Sequence, residues 1–250
     1  MKIGEARSVG SVVGKMLHAP ALVDAAMRRL RPVLAGRVAF PTLEVIGEAI
    51  VAEMPDMRGL FGLLDAIAET RAEGGWVIIA SILRHELHAD PDAALTRCRD
   101  YIVAADIWYA TDIFGERLIG TLLLDDFDDA LWRLQSWRDT PNPWIRRALG
   151  SGVHHWAKRA HAGPGSATRR AVRTKALLRF LEPAIAEHDI DAIKGIGWGL
   201  KTLGKYQPEQ MATWIARMRQ RHRGEIRALM LRKALTYLDR TQRARALGGT

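Results

Sequence analysis

A chain of 250 residues with 48% hydrophobic and 26% charged content can bury a sizeable core and lies at the upper end of a single domain. Its apolar runs are short and broken by charges, which excludes a membrane-spanning helix, and its single cysteine, Cys98, excludes an internal disulfide and suits a reducing cytosol. The net charge of +9 is uneven: residues 1–150 carry 17 Lys and Arg against 21 Asp and Glu, a net −4, whereas residues 151–250 carry 20 against 7, a net +13. A basic half of this size attracts polyanions, of which nucleic acid is the commonest; the plainer alternative is a solvated basic surface that only aids solubility. The N-terminus, Met1 to Ser8, lacks the apolar run and cleavage site of a secretory leader, so a cytoplasmic location is expected.

Helical periodicity runs through nearly every segment and sustained alternation through none, which predicts an all-α protein. Gly4, Gly10 and Gly14 dilute the pattern over residues 1–18, so a frayed N-terminus over 1–19 is expected. Pro20 opens a helix with Leu22, Val23, Ala26, Met27 and Leu30 on one face, closing near Pro32. Pro41-Thr42 starts another, with Leu43, Ile46 and Ile50 inward, ending before Pro55. Asp56–Arg71 carries Leu60, Leu63, Leu64 and Ile67, and after a break at Gly74-Gly75 the next helix holds Trp76, Ile79, Ile82 and Leu83. Asp90-Pro91 is a further start, with Asp90 as a cap. The following helix bears Trp108 and Asp112 and ends near Gly120; an acidic start at Asp125 to Asp129 precedes Leu131 and Trp132. Thr140 to Arg147 is a turn feeding a helix that continues to about Lys158. His161 to Thr168 is the clearest loop in the chain, and helices follow at about 169–188, 189–204, 208–222 and 224–238. Many helices of similar length joined by short turns predict stacked helical pairs in one continuous solenoid over residues 1–250.

Several motif-like strings do not meet the geometry their chemistry needs. Gly195-Ile196-Gly197-Trp198-Gly199 has the wrong spacing for a dinucleotide fingerprint and no preceding strand; its glycines instead allow another backbone or a ligand close to Trp198. His85-Glu86-Leu87-His88 lacks the spacing of a helical zinc site, so no metal is expected. Gly150-Ser151-Gly152 is too short for a nucleophile elbow, and Cys98 has no activating base beside it in sequence.

Four residues remain. Trp108 and Asp112 lie four apart and share a helix face, an aromatic plane beside a carboxylate in an apolar segment. A buried carboxylate is costly without a partner, so Asp112 is either a hydrogen-bonded detail of the core or part of a site. Arg147 lies one turn after Trp144, and Trp198 sits among three glycines on a late helix. Taken singly, each has a plain structural explanation, as a core tryptophan or a surface arginine.

Together they resemble a family. Trp108-x-x-x-Asp112, then Asn142-Pro143-Trp144-Ile145-Arg146-Arg147, then Ile196-Gly197-Trp198-Gly199-Leu200-Lys201 resemble the signature blocks of bacterial AlkD-type DNA alkylation repair glycosylases. Gly36 to Leu43 is similar to an earlier block, with Glu44 where a basic residue is usual, and Leu231-Arg232-Lys233-Ala234-Leu235 also fits. The resemblance covers roughly residues 20–240 and is specific from residue 100 onward. It implies a HEAT-like-repeat solenoid with a concave basic groove that binds, as a monomer, duplex DNA containing alkylated purines. It further implies excision of cationic N3- or N7-alkylated purines without cofactor or metal. By position it places Trp108, Asp112 and Trp198 at the lesion nucleotide and Arg147 on the DNA phosphate.

The chemistry fits that assignment. A purine alkylated at N3 or N7 is already positive and leaves as a neutral base without a general acid. The sugar takes up oxocarbenium character, which one carboxylate can stabilise while orienting water. Tryptophan faces favour positive charge, and a guanidinium suits two-point contact with phosphate. The competing expectations are a non-catalytic helical-repeat protein that binds damaged or branched DNA, and a protein-interaction scaffold.

Overall fold

The computed structural model describes residues 1–54, 56–222 and 226–248. Among the described residues every regular element is a helix, as the periodicity predicts, and no helix is long and apolar enough to cross a membrane. The chain divides into two compact units, Met1–Ala105 and Asp106–Thr250.

The first unit contains α1 (Ile3–Met16), α2 (Val23–Ala35), α3 (Phe40–Glu53), α4 (Phe61–Glu69), α5 (Glu73–Ala89) and α6 (Pro91–Ala105). In it α1 packs on α3 and α3 on α5, while α2 packs on α4 and α6 on α5. This is the stacking of an all-α helical repeat, in which each helix buries one apolar stripe against its successor in the same layer. α5 carries the densest core, with Trp76 to Leu83 buried without a break.

The frayed N-terminus expected from sequence is instead the regular helix α1. Two of its glycines, Gly10 and Gly14, weaken the periodic signal because they are the contact surface: a methyl group on Gly10 would lie 2.4 Å from the carbonyl oxygen of Ile46. Close approach to α3 therefore requires glycine there, and the contact buries Ala6, Val9 and Val13. Two further boundaries move. α2 runs through Pro32 to Ala35, the proline forgoing the one ladder bond that its missing N–H would donate to Arg28. Gly74 and Gly75 belong to the first turn of α5 rather than to a break. The expected helix end at Pro55 lies outside the described residues.

The second unit contains α7 (Trp108–Phe114), α8 (Gly120–Asp125), α9 (Phe127–Arg133), α10 (Gln135–Arg138), α11 (Pro143–Ala162), α12 (Ala167–Phe180), α13 (Ile190–Tyr206), α14 (Pro208–Arg221), α15 (Ala228–Ala234) and α16 (Arg240–Leu247). A π-helical turn, Gly115–Ile119, joins α7 to α8, so the helix bearing Asp112 continues past Gly120 to Asp125. Such turns widen a helix locally and recur beside functional positions. α11 is the axis of the unit: α7, the π turn, α8 and α13 all pack against it, and α13 in turn carries α15. Asn142 caps α11, its Oδ1 accepting from the backbone N–H groups of Trp144 and Ile145. The loop expected at 161–168 is shortened by the extension of α11 to Ala162, and α16 was not anticipated. The start of the helix expected at 224 lies outside the described residues.

Candidate functional site

The site is set by how closely α11 and α13 approach. A methyl group on Gly150 would lie 2.1 Å from the carbonyl oxygen of Gly195, and one on Gly195 would lie 2.5 Å from Cγ of Arg147. The two backbones therefore touch at a spacing that no other residue pair allows. Along α11, Arg147, Ser151, His154 and Lys158 follow at i, i+4, i+7 and i+11 and share one face; along α13, Asp191, Gly195, Trp198 and Thr202 do the same. The glycine crossing brings these two stripes together.

Asp112, on α7, points to that seam. Its Oδ1 accepts from Nε of Arg147 at 2.9 Å and its Oδ2 from Nη2 at 2.7 Å, while Ser151 Oγ donates to Oδ1 at 2.5 Å. Nη1 of Arg147 donates to the carbonyl oxygen of Asp191 at 3.2 Å, tying the guanidinium to α13 as well. Both side chains are largely withdrawn from water, with 13% of Asp112 and 8% of Arg147 exposed. Charge-assisted two-point pairing of this kind compensates the burial that would penalise either ion alone.

One turn before Asp112, Trp108 is 54% exposed, and the guanidinium carbon of Arg147 lies 5.9 Å from its ring centroid. An exposed indole of this size next to a buried ion pair leaves an apolar face open to a ligand. Trp198 is half-buried, and one face of it is covered by His154, stacked at 3.8 Å between centroids and 23° between planes. Thr202 Oγ1 donates to the carbonyl oxygen of Trp198 and lies 2.7 Å from Nδ1 of His154. With the Thr202 hydrogen so placed, Nδ1 carries the imidazole hydrogen and Nε2 the lone pair. Burial, assisted by the charge of Lys158 and by His155, pulls the His154 pKa down to about 4 against the opposing pull of Glu116 and Asp112. A neutral ring thus supports Trp198 from behind.

Lysines gather around these groups. The stem of Lys233 lies against Gly197, where a methyl group would sit 2.5 Å from its Cδ. Its pKa is lowered by burial first, then by Lys201, Arg147 and Arg232, with Asp112 pulling the other way. Among the described residues no group of three or more His, Cys, Asp or Glu side chains is placed to hold a metal ion. Cys98 is buried in the first unit, and burial pushes its thiol well above the usual range, an inert placement.

The four residues singled out from sequence therefore lie in one unit and one connected set of contacts: Trp108 to Arg147, Arg147 to Asp112 and to α13, and α13 through Trp198 to His154. The structure adds the direct pairing of Asp112 with Arg147, together with Ser151, His154 and Lys233. Ser151 and His154 fall at helical spacing from Arg147, a signal that was present but carried no motif.

The family model for the DNA alkylation repair enzyme matches residues 38–238. The chain belongs to that family. It is an enzyme of DNA alkylation repair, and DNA is its substrate. No curated protein and no solved structure matches the chain.

Proposed function

We propose that the protein is a monofunctional DNA glycosylase, acting as a monomer on duplex DNA. It hydrolyses the N-glycosidic bond of cationic N3- and N7-alkylated purines such as 3-methyladenine and 7-methylguanine, leaving an abasic site. The observation that carries this reading is the placement of the Asp112 carboxylate, held by Arg147 and Ser151, one helical turn from an exposed indole, Trp108. A carboxylate facing DNA phosphates is unfavourable unless positive charge develops there, and a departing alkylpurine leaves that charge on the sugar.

In this mechanism the C1′–N bond breaks, its electron pair neutralises the cationic base, and water adds to C1′ and loses a proton. Oδ1 of Asp112 already accepts two hydrogen bonds and Oδ2 one, so the second lone pair of Oδ2 is the one available to the water or the sugar. Trp108 and Trp198 offer ring faces to the sugar and the cationic base. Arg147 orients the carboxylate, and its two remaining N–H hydrogens suit a backbone phosphate oxygen.

Pairing also limits what Asp112 contributes. At ~4 Å and an effective dielectric of ~20, a lone carboxylate stabilises a cationic sugar by ~4 kcal/mol; a guanidinium ~8 Å away opposes this by ~2, leaving ~2 kcal/mol, or roughly thirtyfold in rate. The remaining acceleration falls to the leaving group's own charge and to positioning by the tryptophans.

A second reading, a non-catalytic protein that binds damaged or branched DNA, is favoured by the same pair seen as a tie between α7 and α11. Incubation with duplex DNA carrying 7-methylguanine and 3-methyladenine separates the two. Release of the free bases, with abasic sites accumulating and no strand cleavage, supports the glycosylase. Salt-sensitive binding without release favours the second reading.

A further inference from the structure

Beside Trp198 lies a cavity of about 210 Å³ lined by His154, Lys158, Trp198, Lys201, Thr202, Lys205, Tyr206 and Tyr237. Three features set it apart. None of its lining residues is acidic. None of its three lysines enters an ion pair among the described residues, whereas Lys194, a short distance along α13, is paired with Asp191. Its floor is aromatic: Lys201 Nζ lies 5.5 Å and Lys205 Nζ 5.8 Å from the ring centroid of Tyr237, so two ammonium groups share one half-exposed ring.

Like charges gathered without a counter-charge repel one another, and the arrangement is relieved when an anion enters. Burial keeps His154 neutral, so it adds no fourth positive charge to the cavity. The anion chemistry is narrowed by the rings. A phosphodiester oxygen pair can be shared by Lys201 and Lys205 while the attached sugar lies on Tyr237, and a volume of this size admits a sugar-phosphate but not a whole base pair. Arg147, the residue assigned to phosphate from sequence, has most of its hydrogen-bonding capacity directed to Asp112 and Asp191. Lys158, Lys201 and Lys205 carry no such commitment.

We propose that the cavity is a phosphodiester-binding subsite of the DNA interface, in which Lys158, Lys201 and Lys205 hold a backbone phosphate next to the nucleotide that meets Trp198. It rests on the reading of the protein as one that acts on DNA, but not on the glycosidic chemistry. Lysine contacts of this kind fix register on the backbone and carry no sequence information.

The test is the salt dependence of binding to a fluorescent unmodified duplex, measured for the full chain. Variants Lys201→Ala, Lys205→Ala and Lys158→Ala are compared with Lys175→Ala, which removes the same charge from an exposed position on α12 outside the cavity. Each released counterion contributes about one to the slope of log affinity against log salt. The subsite predicts that each cavity variant lowers the slope by roughly one, that the triple variant lowers it by two or more, and that Lys175→Ala changes it far less. Equal effects from all four variants would mean that only overall charge matters, and would overturn the proposal. Base release by the wild-type protein is recorded in parallel. Lowered slopes without base release leave the subsite standing and the glycosylase reading refuted, whereas base release with equal slopes does the reverse.

Discussion

Asp112 and Arg147 meet through two parallel hydrogen bonds, Nε to Oδ1 at 2.9 Å and Nη2 to Oδ2 at 2.7 Å, and so join α7 to α11 at the point where α11 crosses α13. The same contact is both a structural tie and, in the proposed reaction, the support of the reacting carboxylate. These roles predict different consequences for different substitutions.

Asp112→Asn keeps the shape of the side chain and removes its charge. Excision of 7-methylguanine is expected to fall by roughly a thousandfold, because the ~4 kcal/mol attraction of the carboxylate for the positive sugar is lost while the repulsion from Arg147 remains. Stability should also drop, by about 2–4 kcal/mol, since Arg147 remains buried and keeps only the more distant Asp191 carboxylate as counter-ion. Single-turnover base release at saturating protein, read beside urea unfolding, separates the two effects. A folded variant with wild-type release would remove Asp112 from the mechanism.

Arg147→Lys retains the positive charge but not the planar fork. One ammonium cannot match both carboxylate oxygens and also reach the carbonyl oxygen of Asp191, so a loss of about 1–3 kcal/mol in unfolding free energy is expected. A double-mutant cycle with Asp112→Asn should return a coupling energy of about 1–3 kcal/mol. Near-additivity would mean that the pair contributes no joint stabilisation.

The legibility of this site in the sequence follows from distance along the chain. Helix content and the family were readable because each rests on spacing within one segment or on short blocks of letters, and the same blocks single out Trp108, Asp112, Arg147 and Trp198 as candidates. The Asp112–Arg147 pair was not, since 35 residues separate its members and nothing local distinguishes a guanidinium aimed at DNA from one aimed at a carboxylate. Glycine misled in one place and informed in another. In α1 it dilutes the apolar pattern while forming the contact with α3, and so reads as weakness; around Trp198 the same residue type at helical spacing reads correctly as close approach. Ser151 was set aside with the short string Gly150-Ser151-Gly152, although its position one turn after Arg147 places its hydroxyl on the carboxylate.

The crossing of α11 and α13 should tolerate almost no added volume. In Gly195→Ala the new methyl group meets Cγ and the carbonyl oxygen of Arg147 at 2.5 and 2.6 Å, so either the helices separate or the guanidinium is displaced. A destabilisation of about 1–3 kcal/mol is expected from overpacking. Excision should fall together with it even where the variant remains folded, because the displaced group orients Asp112. Gly4→Ala, where the added methyl meets nothing within 4 Å, serves as the control and is expected to be neutral or slightly stabilising. Thermal melting and base release measured on both variants decide the matter.

His154 gives the chain an acid sensitivity whose sign is fixed by its environment. Its pKa of about 4 in the folded protein lies below the usual 6.5, so between these values the unfolded chain binds a proton that the folded chain does not. Stability is therefore lost as pH falls through about 6.5 and the loss levels off near 4, the opposite of a histidine that gains a carboxylate partner. Discounted for the partial exposure of the ring, the loss attributable to this residue is about 1–2 kcal/mol. His154→Phe retains an aromatic ring against Trp198 and removes the titration, so its melting temperature should decline less steeply than that of the wild type between pH 6.5 and 4. Parallel declines in the two proteins would assign the acid sensitivity to other groups. The substitution also tests the support given to Trp198: if the stacked ring matters for its shape alone, base release at neutral pH is preserved in the phenylalanine variant and lost in His154→Ala.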